Sequence, residues 1–136
     1  ALAVIAGNWV MNTHFYPQLF KYQPSKEVAH FIEKNEIPKD HVFIGPSYGF
    51  FSLEFYANHT FYNYKGSRYK QALAQHETIW VYVNTEYLKH IQRKFPNTEI
   101  VAKFPSFHIS MLTLEFLNPR TRDAQLENQH LVKIIL

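Results

Sequence analysis

Apolar positions along this chain change period several times, and each change marks an element. In residues 25–35 (SKEVAHFIEKN), Val28, Phe31 and Ile32 recur at the i, i+3, i+4 spacing of an amphipathic helix. Pro24 precedes the helix and Ser25 is its expected cap. Pro38 ends it, because the residue before a proline is pushed out of helical geometry. Residues 42–45 (VFIG) form a short buried strand, and Ser47 then caps a second helix through residue 57, with Gly49 weakening its start. The aromatic run 60–64 (TFYNY) predicts a strand, 67–76 (SRYKQALAQH) a short helix, and 78–83 (TIWVYV) the strongest strand. This last run is β-branched and aromatic with no polar alternation, the pattern of a central strand covered on both faces. Thr85 is the expected cap of a helix carrying Leu88, Ile91 and Phe95 on one side, stopped by Pro96. Residues 99–103 (EIVAK) follow as another strand.

The repeated alternation of strand and helix implies βαβ crossovers. The expected fold class is therefore α/β, three-layer and Rossmann-like, with a mainly parallel sheet and helices on both faces. The tail changes character. Phe107, Ile109 and Met111 alternate in one phase, and Leu112, Leu114 and Phe116 in the other, which predicts a long strand with a bulge. After residues 118–129, the run HLVKIIL at 130–136 is strand-like again. These two make a C-terminal antiparallel hairpin. A rival assignment makes Asn118 a cap, Pro119 the first helical residue and 120–128 a short helix. No internal repeat or low-complexity tract occurs.

Composition narrows the class. Twelve Phe and nine Tyr against four Gly in 136 residues fit one domain with large buried surfaces, well outside the disordered range. The net charge of +3 is carried by scattered residues of both signs. With no basic stripe and no known motif, nucleic acid is excluded as the expected partner. The absence of cysteine removes disulfides, Cys-containing zinc sites and thiol nucleophiles together. The chain opens at Ala1 rather than Met, which reads as a fragment or a processed chain. Its first residues, ALAVIAGNWVM, are apolar but far shorter than the roughly 20 residues of a membrane-spanning helix. They fit the last turns of such a helix, a first strand or a buried helix equally well.

The chemical candidates are few. Gly45-Pro46-Ser47-Tyr48-Gly49 matches the G-x-S-x-G pattern of a serine nucleophile on a strand-to-helix turn. Only Asp123 and His130 follow in the order acid then histidine, and no glycine-rich segment supplies a second oxyanion donor. The simpler reading is a strand end and a helix cap. The eight histidines show no H-x-H, H-x-x-x-H or H-E-x-x-H spacing, so no metal site is expected. Neither phosphate-binding glycine motif of nucleotide-binding folds is present. Lys65, Arg68 and Lys70, beside Tyr64 and Tyr69, suit a phosphate or an anionic headgroup, or a plain solvated loop. Arg120 and Arg122 carry the same two readings. Asn58-His59-Thr60 matches the glycosylation sequon.

One combination of segments points further. Phe15-Tyr16-Pro17, Leu19 and Tyr22-Gln23 near the start, with Phe116-Leu117-Asn118-Pro119 and Thr121-Arg122 near the end, resemble a known pattern. It is that of the soluble C-terminal region of bacterial membrane glycosyltransferases, similar to lipid A aminoarabinose transferases and dolichyl-phosphate-mannose-protein mannosyltransferases. The resemblance extends over nearly the whole chain. It implies an extracytoplasmic α/β domain, on the periplasmic side of the inner membrane, following a block of membrane helices. The parent would move a sugar from a polyprenyl-phosphate carrier to a lipid or protein acceptor, using acidic residues in loops outside this chain. No catalytic, cofactor-binding or metal-binding residue is carried over, no cofactor is expected within this chain, and the chain alone should be inactive. Its expected partners are the parent's membrane helices, the lipid-linked sugar and the acceptor. Residues 1–24 become a juxtamembrane entry segment, with Trp9, Phe15, Tyr16, Phe20 and Tyr22 near the headgroup layer, and residues 25–136 a single α/β domain. For Phe15 and Phe20, packing in the domain's own core is an equally good expectation. The alternatives are a free-standing Rossmann-like domain binding a small molecule, and a small serine hydrolase using Ser47.

Overall fold

The structure, a computed structural model, describes residues 2–46, 50–108 and 112–136, with Phe50 described through its backbone. The expected cap at Ser47 and the alternation through Ile109 and Met111 lie outside the described residues.

A mixed α/β fold is observed, built on a five-stranded sheet in the order β2-β1-β3-β5-β4. The strands are β1 (Val42–Ile44), β2 (Tyr62–Asn63), β3 (Thr78–Asn84), β4 (Thr98–Ser106) and β5 (Glu127–Ile135). Pairing is parallel for β1 with β2 and β3, and antiparallel for β5 with β3 and β4. The expected parallel character is thus confined to the first half. Both β3 and β4 run antiparallel to β5, so they share a direction. The crossover from β3 to β4 leaves one strand position between them, and β5 fills it.

The strand-and-helix rhythm is otherwise as the periodicity predicts: α3 (Ser25–Lys34), α4 (Phe50–Ala57), α5 (Ser67–Gln75) and α6 (Thr85–Lys94) separate the strands. Strand alternation divides the core in two. Val42, Ile44, Tyr82, Phe104 and Leu131 pack with Val28, Ala29 and Ile32 of α3 and Leu53 and Ala57 of α4. Phe43, Ile79, Val81, Val83, Val132 and Ile134 pack instead with Tyr69 and Ala72 of α5 and Leu88 and Ile91 of α6.

Helix ends differ from the expected caps. Pro24, not Ser25, holds the cap position of α3, and Ser25 is buried as the first helical residue. α3 closes with Glu36 in the left-handed region (φ 52°) and bonds from Glu36 N to Glu33 O and Ile37 N to Ile32 O. This is a Schellman closure with an apolar residue after it, so the turn acts before Pro38 does. Asn58 (φ 47°) ends α4 in the same way, a structural use for the sequon's Asn. Asn84, not Thr85, caps α6: its Oδ1 accepts the Tyr87 N–H at 3.0 Å.

The tail departs most. The partner of β5 is not 107–116 but β4, which runs on through Pro105 to Ser106, with its irregularity between Ile100 and Ala102. Pro105 is tolerated because β4 is an edge strand and has no outer neighbour needing its N–H. Residues 114–117 are a short helix, α7 (Leu114–Leu117), capped by Thr113 Oγ1. Arg122–Gln125 form one 3₁₀ turn, so the rival helix of 120–128 shrinks to four residues.

The apolar opening is helical, neither a strand nor buried. α1 (Leu2–Val10), a π turn (Met11–Phe15) and α2 (Tyr16–Phe20) follow one another with helical dihedrals at both junctions. Asn12 Nδ2 and Thr13 Oγ1 donate to the carbonyls of Asn8 and Trp9 at 2.8 and 2.7 Å.

At the β1–β3 junction, a Cβ added to Gly45 would meet Val83 Cγ1 at 2.5 Å. Gly45→Ala is expected to cost about 1–3 kcal/mol in urea unfolding through overpacking. Combined with Val83→Ala, the total loss should fall short of the sum of the single losses by at least about 0.5 kcal/mol, because the two sites share one contact.

Candidate functional site

The shared direction of β1, β3 and β4 places their C-terminal ends on one edge of the sheet. β1 connects outward to β2 and the chain then returns to β3 on its other side, so the loops after β1 and β3 diverge there. In open α/β sheets such a divergence is where ligands bind. Two adjoining hollows occupy this place. One, of about 320 Å³, lies over Gly45, Pro46, Asn63 and Tyr64 and reaches Lys65 and Tyr87. The other, of about 370 Å³, is lined by Lys65, Glu86, Tyr87, Lys89, His90 and Arg93.

Lys65 links the two. It stands in the left-handed region (φ 73°), in the turn between β2 and α5, and its ammonium lies 5.5 Å from the ring centres of both Tyr64 and Tyr87. The basic cluster expected at 65–70 is divided. Arg68 stacks over the Tyr62 ring at 5.2 Å and lines a separate hollow with Asp40 and His76. Lys70 is exposed and belongs to neither hollow. Sequence reasoning missed Lys89, His90 and Arg93; the available signal was their i, i+1 and i+4 placement on the polar face of α6.

A second assembly joins the entry segment to the domain. Tyr22 meets the Phe116 ring edge-on at 5.2 Å, and Phe107 stacks on Phe116 at 3.7 Å. Phe107 N donates to Tyr22 O at 3.0 Å. Arg122 lies over both Tyr22 and Phe116 and donates to the carbonyls of Phe116 and Leu117. Thr121 Oγ1 donates to Glu115 O at 2.6 Å, and Asn118 Oδ1 accepts from Arg120 N. The segment around Arg122 thus closes α7 upon itself and offers an aromatic and cationic seat to Tyr22. Among the described residues, the Arg120 guanidinium makes no comparable contact.

Beyond this seat the entry segment is bare. Phe20 is 57% exposed and Trp9 68%; Phe15 is half-buried and Leu19 is the buried residue of the stretch. For Phe20, packing in the core is therefore ruled out. Among the described residues, no helix is long and apolar enough to cross a membrane.

The nominal triad does not assemble through its histidine. His130 Nε2 lies 3.0 Å from Thr85 Oγ1, and its Nδ1, the atom an orienting Asp123 would hold, has no partner among the described residues. Thr85 also donates to Asn128 O. With its one proton given there, the hydroxyl accepts from Nε2–H of His130. Among the described residues no group of three or more candidate ligands converges for a metal. The closest approach of histidines is His41 over His76, with ring centres 3.8 Å apart. No protein-family model, curated protein or solved structure matches this chain.

Burial lowers the affinity of both His41 and His130 for a proton, helped by His76 and by Lys103 respectively; Asp40 partly offsets this at His41. Each group binds its proton more readily in the unfolded chain. Stability is then at its full value above the ordinary histidine value of 6.5 and falls as pH drops below it. His41→Gln and His130→Gln are each expected to flatten the decline of Tm between about pH 7 and pH 5. An unchanged slope in both variants would show that neither ring is a source of the acid sensitivity.

Proposed function

We propose that this chain is the membrane-adjacent accessory domain of a transferase that moves a sugar from a polyprenyl-phosphate carrier to a lipid or protein acceptor. The observation that carries the proposal is the entry segment. Residues 2–20 follow a helical path on which Leu2, Val4, Ile5, Trp9 and Phe20 remain more than half exposed. Exposed apolar surface of this extent marks a site of interaction with membrane or protein. The segment ends on the Tyr22–Phe116–Arg122 seat, so residues that carry the resemblance from opposite ends of the chain meet in one place. Leu114 and Leu117 of α7, 81% and 37% exposed, extend the apolar surface beside that seat. In this reading the domain has a three-layer, Rossmann-like organisation, with its two core clusters as the interfaces between layers. It sits over the membrane-embedded site on the extracytoplasmic side and helps to admit or orient the acceptor. The chemistry belongs to parts of the parent outside this chain.

Two measurements test this. With phosphatidylcholine vesicles, Trp9 emission should shift to the blue and the chain should float with the lipid. Trp9→Phe should remove the shift and leave Trp80 as the remaining tryptophan. Emission and flotation unaffected by vesicles would overturn the membrane placement. The gene upstream of Ala1 tests the parent. Several apolar stretches of roughly 20 residues each are expected there, and a gene without them would end the transferase reading.

A further inference from the structure

We propose that the crevice between the β2–α5 turn and the outer face of α6 binds a phosphoryl group, with Lys65, Lys89 and Arg93 as its ligands. The three cations line one hollow together with His90, against a single carboxylate, Glu86. Among the described residues, none of the three is ion-paired or donates a hydrogen bond to the protein. A solvated helix face would account for Lys89 and Arg93 alone. It does not account for Lys65.

Lys65 occupies the third position of the turn from Asn63 to Gly66, closed by Gly66 N donating to Asn63 O at 3.1 Å. Its φ of 73° is the value that this position of a type II turn demands and that glycine ordinarily supplies. A lysine there costs stability, on the order of 1 kcal/mol, although a glycine stands at the very next position. Its ammonium is also held. The two tyrosine rings at 5.5 Å lie within the reach of a cation–π contact, and this fixes the side chain toward α6. α6 sets Lys89 and Arg93 one turn apart on the facing surface. Arg93 supplies a planar fork matched to phosphate oxygens, and the lysines supply point charges. The strained lysine thus sits where three charges close on one anion, at the edge of the sheet that favours ligands.

The phosphoryl group belongs either to a soluble phosphate or to a lipid headgroup, and the test separates them. In one arm the whole chain is titrated with inorganic phosphate at constant ionic strength and followed by amide NMR. In the other, binding to phosphatidylcholine vesicles is compared with and without phosphatidic acid. Lys65→Gln and Arg93→Gln should each weaken the phosphate-dependent response roughly tenfold. Lys26→Gln, an equal charge change on α3, should leave it unaltered. Lys65→Gly should raise Tm while abolishing the response, which a merely structural lysine would not do. A Lys65-dependent response to inorganic phosphate assigns a soluble ligand, and one confined to phosphatidic acid assigns a headgroup. No Lys65-dependent response in either arm, or an equal loss in Lys26→Gln, overturns the proposal. The phosphate arm needs no bilayer, so it stands or falls apart from the membrane placement, which plain phosphatidylcholine reports.

Discussion

The fold depends on a strand with no free face. Ile79, Val81, Tyr82 and Val83 of β3 are almost wholly excluded from solvent, and the strand is hydrogen-bonded to β1 on one side and β5 on the other. Burying each aliphatic side chain of this kind stabilises the fold by about 1.5–3 kcal/mol. Because successive residues of β3 point to opposite faces, the same strand serves both cores at once. Its direction sets which sheet edge gathers the loops after β1, β3 and β4. The divergence of chain at that edge, and hence the hollows over Gly45 and beside Lys65, follow from where β3 stops.

The same edge collects the polar and strained features of the sheet. Gln129 and Ser106 are buried beside each other there, joined by a long 3.4 Å contact, and His130 leans on Thr85 nearby. Lys65 holds its left-handed backbone within reach of it, and Gly45 is held against Val83. A buried polar group left without a partner costs stability, so protein interiors pair nearly all of them. At this edge Gln129 Oε1 and His130 Nδ1 have no partner among the described residues. The opposite side of the domain is managed differently: His41 stacks on His76 with ring centres 3.8 Å apart, and burial lowers the affinity of His41 for a proton.

Much of this was legible in the chain. β3 was plain from its unbroken β-branched and aromatic run, and α3 and α6 from Val28, Ile32, Leu88 and Ile91 at helical spacing. Three kinds of information were not. The pairing of β5 is a long-range choice, and nothing in HLVKIIL says that it enters between β3 and β4. Local chemistry also misled. Pro105 has the character of a strand breaker but sits on an edge, and Leu112, Leu114 and Phe116 kept a strand's alternation while Thr113 capped a helix. The basic crevice was half visible, because the neighbours of Lys65 in sequence are Arg68 and Lys70, whereas its neighbours in space come from α6.

The π turn at residues 11–15 has a consequence for the geometry of the entry helix. In an unbroken α-helix, Trp9 and Tyr16, seven positions apart, would fall on nearly the same side. Each extra residue accommodated in a turn rotates the later part of a helix by about 100° relative to the earlier part. The rings before and after the turn are therefore out of phase, and the helix presents apolar groups around its circumference rather than along a stripe. A groove on a protein partner accepts one side of a helix. A single groove would therefore leave part of the apolar surface of this segment uncovered.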